Sequence, residues 1–378
     1  MKSISKIAGI YKKPGARAIA IYTFTNFFAK GASFLLLFIY TNPLYISPSE
    51  NGLLNLMSTA IIFLVPFVSL GSVHSINADY FKLNGEDFKN SFTTSLVLPV
   101  LVALLSFLGL YIFRDQLNKA YGFPVSFVWI IPLIVLFNFI NEHLMNLVRN
   151  ANETSVFLKV NVGRTLLEIG LSVVLVVYFA WRWQGRVAGI LVAYSAIFLF
   201  ALYYFKKKNF LFGKVSGKRI VHELQYAGPI IIMQLSIFCL NASDKFFLSA
   251  FTADNNETVG IYSIAAIFAS VITIFCTAVL HYFFPKIYSH LSGENADYSS
   301  IRKYFFMYAA IMVLCLTAMI LLTPLAYKYF IHERYHSALP LVPYLCIGCF
   351  LWAINYFFYS SMLFFKERKR SFGFQHFQ

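Results

Sequence analysis

The chain has 378 residues, of which 59% are hydrophobic, 19% are aromatic and only 12% are charged, and its formal net charge is +15. About a quarter of the residues in soluble domains are charged. This composition therefore excludes a soluble enzyme or binding domain and predicts an integral membrane protein.

Ten apolar segments are long enough to cross about 30 Å of hydrocarbon as helices. None of them shows the strict alternation of apolar and polar residues that a membrane strand requires. We therefore predict an all-α polytopic membrane protein with ten transmembrane helices. In chain order the predicted spans are residues 19–40, 53–76, 92–113, 124–147, 155–180, 187–205, 227–251, 259–284, 304–330 and 337–364.

Basic residues are concentrated in alternate connections between these spans. The amino-terminal tail, the loop 206–219 and the carboxyl-terminal end are rich in Lys and Arg, whereas the opposite connections hold few. Because cytoplasmic loops carry an excess of Lys and Arg, both termini are predicted to lie in the cytoplasm. The basic residues form no single groove with interleaved aromatics, so we expect anionic membrane lipids, and no nucleic acid, as their partners. The opposite connections contain Arg114, Lys119, Arg182, Arg186, Lys328 and Arg334.

No catalytic or metal-binding motif is present in the sequence. The eight histidines are scattered, and the five cysteines all lie within predicted spans, where they act as small apolar residues. A nucleotide-binding loop and the His-Glu-x-x-His zinc motif are both missing. We therefore predict neither a metal site, nor a cofactor, nor enzymatic activity.

The chain contains an internal repeat that predicts its domain organisation. The first and seventh spans are each followed by a polar turn and then by a glycine, Gly52 or Gly260, that opens the next helix. Six spans separate the equivalent segments, which indicates two helical bundles in parallel orientation. We predict a first six-helix bundle over 1–205, a basic cytoplasmic linker over 206–226, and a second bundle over 227–378. The second bundle has four predicted helices, and we expect it to be truncated by two.

Ionisable and amide side chains interrupt several of the apolar spans. Such residues are costly in lipid and usually face a protein-lined cavity. Lys30 and Arg164 lie too deep to reach the headgroups easily, and Arg164 is spaced to neutralise Glu168 in part. Lys245 is close enough to a span end to extend toward the membrane surface, which is an alternative to a cavity position. The seventh span also contains Gln234, Asn241 and Asp244; the first contains Asn26.

Three stretches resemble the polysaccharide or O-antigen flippases of the multidrug/oligosaccharidyl-lipid/polysaccharide (MOP) superfamily. They are "YTFTNFFAKGASFLLLFIYTNPLYISPSENGLLNLM", "ELQYAGPIIIMQLSIFCLNASDKFFLSAF" and "YHSALPLVPYLCIG", in this order along the chain. The resemblance implies two six-helix bundles around a cationic cavity. It also implies the flipping of a polyprenyl-diphosphate-linked oligosaccharide across the cell inner membrane, for lipopolysaccharide O-antigen, capsule or exopolysaccharide synthesis.

The resemblance also suggests roles for the polar residues in the spans. Lys30, Arg164 and Lys245 would bind the diphosphate, because fixed cations attract anions more strongly in a low-dielectric cavity than in water. Asp244 is a candidate for ion coupling, and a polysaccharide polymerase is an expected partner. The residues expected to bind the sugar are Asn26, Gln234 and Asn241. Two alternatives remain open: a multidrug or organic-cation antiporter of the same superfamily, and a membrane-embedded acyltransferase or polymerase.

Overall fold

The computed structural model describes residues 21, 25, 28, 31, 34, 36–252, 254, 256–291 and 298–375, and within these residues it contains helices and no strands. Residues 36–40 are helical and precede twelve further α-helices. In chain order these are α1 (Pro48–Ser69), α2 (Ser72–Lys82), α3 (Gly85–Ile112), α4 (Arg114–Tyr121), α5 (Phe127–Asn150), α6 (Thr154–Val173), α7 (Arg182–Lys207), α8 (Gly217–Asn241), α9 (Asp244–Phe251), α10 (Glu257–Leu291), α11 (Tyr298–Phe330) and α12 (Val342–Gln375).

Nine helical segments of the described residues are long and apolar enough to cross a membrane. Each overlaps one of the last nine predicted spans, so the all-α polytopic fold is confirmed. The first predicted span, 19–40, lies largely outside the described residues, and the count of ten stays a prediction.

The helices form two compact units, one ending at Gly260 and the other beginning at Ile261. The predicted division into bundles over 1–205 and 227–378 stays a prediction.

In the first unit, successive long helices run in opposite directions between two ends. One end carries the segment 206–219 and is called the linker end here; the opposite end carries the start of α1 and is called the far end. Helix α1 begins at the far end with a capping box, in which Glu50 N–H donates to Ser47 Oγ at 3.3 Å and Ser47 N–H donates to Glu50 Oε2 at 2.8 Å. This cap fixes where the second predicted span starts.

Two apolar cores fill the first unit. One includes Leu56, Phe127 and Ile131 and lies toward the far end. The other includes Phe92 and Phe205 and lies toward the linker end. Helix α7 packs against α5 and α6 and so contributes to both cores.

The interior of the second unit is built on buried aromatic rings. Tyr308, Tyr327 and Phe357 are almost fully buried. Tyr308 on α11 donates its hydroxyl hydrogen to the backbone oxygen of Ala353 on α12 at 2.7 Å, and its oxygen lies 3.1 Å from Cys276 Sγ. Neutral hydrogen bonds therefore connect the helices of this unit.

Candidate functional site

An ion pair joins α6 and α7 within the membrane spans of the first unit. Arg186 Nη2 lies 2.7 Å from Glu168 Oε1, and both side chains are less than one-fifth exposed. Arg186 Nη1 also donates to Ser172 Oγ at 3.0 Å. A small residue allows this close approach: a β-carbon on Gly189 of α7 would lie 2.9 Å from the backbone nitrogen of Ser172 on α6, so a side chain there would force the helices apart.

Arg164 lies one helical turn from Glu168 on α6 but does not pair with it. The prediction that these two side chains neutralise each other was wrong, because Glu168 pairs with Arg186 instead. Within the described residues no carboxylate oxygen lies within 4 Å of Arg164. Its guanidinium lies 5.3 Å from the centre of the Tyr194 ring, and its buried Nε has no hydrogen-bond partner in the described part of the chain.

This arrangement leaves Arg164 with a positive charge and an unused donor inside a membrane-spanning unit. A cation–π contact compensates only part of the cost of removing a guanidinium from water. A planar guanidinium is also suited to binding phosphate oxygens through two parallel hydrogen bonds. Arg164 is thus a candidate anion-binding group on structural grounds as well as from the sequence.

The structure divides the seventh predicted span, 227–251, into two helices. Helix α8 ends at Asn241, Ala242 leaves the helical conformation at φ −146°, and α9 begins at Asp244. The Ser243 hydroxyl donates to the carbonyl oxygen of Cys239 at 2.7 Å, and Ser243 N–H donates to that of Phe238 at 3.2 Å. These bonds satisfy the carbonyls at the end of α8 and stop the helix. The seventh predicted span is therefore not one continuous helix, and Gln234 and Asn241 lie on a different helix from Asp244 and Lys245.

Within the first unit, the side-chain amide of Asn55 binds Lys245. Its Nζ donates to Asn55 Oδ1 on α1 at 3.4 Å, and its backbone N–H donates to Asp244 Oδ1 at 2.9 Å. The Lys245 side chain is half-buried and therefore does not extend freely into solvent.

The predicted sugar-binding amides are less closely grouped. Asn241 is exposed at the end of α8 and donates to the carbonyl oxygen of Ile237 in its own helix at 2.9 Å. Gln234 is half-buried two turns earlier on the same helix. Lys30 and Asn26 lie outside the described residues. Of the predicted site, the structure therefore places Asp244 and Lys245 together at the start of α9 and Arg164 on α6.

The basic linker also has a defined position in the first unit. Three backbone N–H groups of the segment, at Gly213, Lys214 and Ser216, donate to side-chain oxygens near the start of α3. Arg219 at the start of α8 forms an ion pair with Asp79 on α2. The sequence identified these residues as a basic loop but gave no indication of this attachment.

Comparison with known proteins identifies the family. The chain matches the sequence model of the family described as "Polysaccharide biosynthesis protein" over residues 16–289. The chain belongs to this family. A search of curated proteins finds no match.

Solved structures of MOP superfamily transporters share the fold of this polysaccharide biosynthesis family member. An inward-facing MATE multidrug resistance transporter is 16% identical with a TM-score of 0.61, covering 87% of this chain and 83% of the transporter. An outward-facing MATE transporter is 15% identical with a TM-score of 0.55, covering 94% of this chain and 86% of the transporter. A MOP superfamily transporter from Pyrococcus furiosus Vc1 is 16% identical with a TM-score of 0.52, covering 94% of this chain and 86% of the transporter. Its description states that the reverse polarity of its binding pocket suggests a different function.

These matches settle the coarse assignment. The chain is a multi-pass membrane protein of the polysaccharide biosynthesis family with a MATE-like fold. Among the described residues no group of His, Cys, Asp and Glu is arranged to hold a metal ion.

Proposed function

We propose that this protein flips a polyprenyl-diphosphate-linked oligosaccharide across the cell inner membrane for O-antigen, capsule or exopolysaccharide synthesis. The observation that carries the proposal is Arg164, a cation without a counter-carboxylate among the described residues, placed inside a membrane unit of a polysaccharide biosynthesis family member. In this proposal the diphosphate supplies the missing negative charge.

Lys245 would be a second cation on the diphosphate path, and Lys30 a third. Within the described part, no carboxylate oxygen lies within 4 Å of Lys245 Nζ, and its amide acceptor is neutral. A neutral partner leaves the ammonium charge available to an incoming anion. Gln234, Asn241 and Asn26 would serve the sugar, Asp244 would couple an ion, and a polysaccharide polymerase would receive the product.

An organic-cation antiporter is the second candidate, because the fold is shared with multidrug transporters. A cavity for cations requires uncompensated carboxylates. Glu168 is neutralised by Arg186 at 2.7 Å, whereas Arg164 on α6 and Glu142 on α5 both lie near Tyr194 without an ion pair among the described residues. Arg164 favours an anionic substrate, and Glu142 is the carboxylate that a cationic substrate would use. An acyltransferase or polymerase would be revealed by a covalently changed product.

Complementation of a flippase-null strain tests the proposed function. Wild-type protein is expected to restore surface polysaccharide, and Arg164→Gln is expected to lower it at least tenfold at equal membrane abundance. Arg149→Gln is the matched control, since Arg149 is exposed near the linker end and is expected to be neutral. Failure of the wild-type chain to restore any polysaccharide, or full activity of Arg164→Gln, would contradict the proposal.

The proposed orientation has its own test. Both termini and the linker end would be cytoplasmic, and the far end would face outside. A membrane-impermeant thiol reagent applied to intact cells should label Leu44→Cys at the far end, which is 84% exposed, and not Ser216→Cys in the linker. Labelling of Ser216→Cys alone would reverse the orientation.

A further inference from the structure

At the far end, α1 and the start of α10 cross at two glycines. A β-carbon built on Gly52 would overlap the backbone oxygen of Asn256 and lie 2.9 Å from its carbonyl carbon. A β-carbon built on Gly260 would overlap the backbone oxygen of Pro48 and lie 2.9 Å from the nitrogen of Gly52. No side chain fits at either position without separating the two helices. We call this crossing of Pro48, Gly52, Asn256 and Gly260 the far-end clasp.

The clasp is symmetric in the sequence repeat. Gly52 and Gly260 are 208 residues apart, and Pro48 and Asn256 are separated by the same interval. Each glycine therefore contacts the backbone of the residue one turn before the other glycine: Gly52 contacts Asn256, and Gly260 contacts Pro48. A contact made by the same position of both repeats, backbone against backbone, can close completely and separate without unpacking a large side chain.

Two side chains of α1, Asn51 and Asn55, form hydrogen bonds that stabilise the clasp. Asn51 Nδ2 donates to the backbone oxygen of Gly260 at 3.2 Å. Asn55 Nδ2, one turn along α1, donates to the backbone oxygen of Asn51 at 2.9 Å and contacts its Oδ1 at 3.3 Å. These bonds orient the Asn51 amide so that its nitrogen faces Gly260.

Lys245 completes this chain of hydrogen bonds. Its ammonium donates to Asn55 Oδ1 at 3.4 Å, which fixes the Asn55 amide with its nitrogen directed to Asn51. A continuous path therefore runs from Lys245 through Asn55 and Asn51 to the backbone of the clasp. The first link is long and its acceptor is an uncharged amide oxygen. A diphosphate would compete effectively for the ammonium, because its negative charge adds Coulomb attraction that is strong in a low-dielectric site.

We propose that Asn55 and Asn51 are positioning residues that connect substrate binding at Lys245 to the opening of the far-end clasp. This inference rests on the proposed function for the identity of the anion. When an anion binds Lys245, Asn55 loses its donor, Asn51 loses its orientation, and the bond to Gly260 weakens. The anion opens the clasp because Lys245 binds it more tightly in the open state, where Asn55 no longer competes.

Distance measurements on the purified protein test the clasp. Nitroxide labels are attached at Leu44→Cys and Phe251→Cys, which are 84% and 85% exposed, in a chain whose five native cysteines are alanine. A closed clasp and an open clasp are expected to give a shorter and a longer distance between the two labels. Gly52→Ala and Gly260→Ala are each expected to increase the population of molecules with the longer distance at least threefold. Gly109→Ala is the matched control, since a β-carbon there meets nothing within 4 Å. An unchanged distance distribution in both clasp variants, with normal thermal unfolding, would contradict the proposal that the far-end clasp opens.

The same measurement tests the connection to Lys245. Asn55→Leu is expected to increase the longer-distance population without any ligand. Asn55→Asp is expected to do the same, because its carboxylate can pair with Lys245 but cannot donate to Asn51. Inorganic diphosphate should increase that population in the wild-type chain but not in Lys245→Ala. Clasp opening in Gly52→Ala with no effect of Asn55→Leu would overturn the connection. Normal effects of the glycine and Asn55 variants without a response to diphosphate would support the connection and contradict the proposed diphosphate substrate.

Discussion

The two units stabilise their membrane-embedded interiors by different means. In the first unit, Glu168 and Arg186 form an ion pair within the spans, and Arg164 lies beside it without a carboxylate partner among the described residues. In the second unit, the central parts of the membrane-capable helices, residues 261–284, 304–327 and 335–358, contain no Asp, Glu, Lys or Arg, and charged residues such as Arg302 and Lys328 lie toward the helix ends. Tyr308, Cys276 and the backbone of Ala353 join its helices instead.

This difference shows where charge has a purpose beyond packing. Neutral hydrogen bonds are sufficient to hold a bundle of membrane helices together, as the second unit demonstrates. Charges within spans cost free energy and are usually functional. Arg164, Glu168, Arg186 and Lys245 all lie in the first unit, which supports an anion path that is lined from this part of the chain.

The largest expected loss of stability follows from breaking the Glu168–Arg186 pair. Glu168→Gln leaves a buried guanidinium without its counter-charge, which costs about 3 kcal/mol. Thermal unfolding of the detergent-purified protein measures the effect. The double variant Glu168→Gln, Arg186→Gln is expected to recover most of the loss, because neither charge then remains unpaired. An unfolding temperature of Glu168→Gln equal to wild type would show that the pair contributes nothing.

A smaller effect is expected in the second unit. Tyr308→Phe removes the hydroxyl that donates to Ala353 and contacts Cys276 Sγ, which costs about 1 kcal/mol because the hydrogen bonds lost are neutral. Tyr329→Phe is the matched control, since Tyr329 is 69% exposed. Should Tyr308→Phe destabilise the protein more than Glu168→Gln does, the distinction between the two interiors would be lost.

The smallest effect is expected for a surface ion pair of the first unit. Lys208 Nζ lies 2.6 Å from Glu153 Oε1, and these side chains are 40% and 28% exposed. Lys208→Ala should cost about 0.5 kcal/mol or less, and the difference from wild type should shrink further at high salt. Unfolding measured at low and at high salt provides the check. A loss as large as that of Glu168→Gln would mean that depth in the membrane does not determine the strength of these pairs.

Much of the fold follows from the sequence because long apolar segments have few alternatives in a membrane. Eight of the nine described spans were located to within seven residues at each end, whereas the seventh, predicted over 227–251, lies over Gly217–Asn241. Their helical character followed from their length. Helix ends were less predictable. Arg186 was assigned to a loop because α7 was expected to begin at residue 187, whereas it begins at Arg182. That displacement of about one turn hid the partner of Glu168.

Interruptions within helices depended on contacts that the sequence does not show. Ala242 is neither glycine nor proline, so nothing local marks the end of α8. The break depends on Ser243 bonding back to Cys239 and Phe238, and Lys245 on the following helix reaches Asn55 on α1. The close contacts between α1 and α10 at Gly52 and Gly260 could not be predicted from the sequence either, although both residues marked the repeat.

Translocation by purified protein in liposomes tests most directly whether the charges of the first unit bind a diphosphate. The wild-type protein should translocate a polyprenyl-diphosphate-linked oligosaccharide at least tenfold faster than the corresponding monophosphate, because the diphosphate carries one more negative charge and is attracted more strongly to Arg164 in a low-dielectric cavity. Arg164→Gln should lose this preference while Arg149→Gln keeps it. Equal rates for the two lipids with wild-type protein, or an unchanged preference in Arg164→Gln, would contradict the assignment of Arg164 to the diphosphate site.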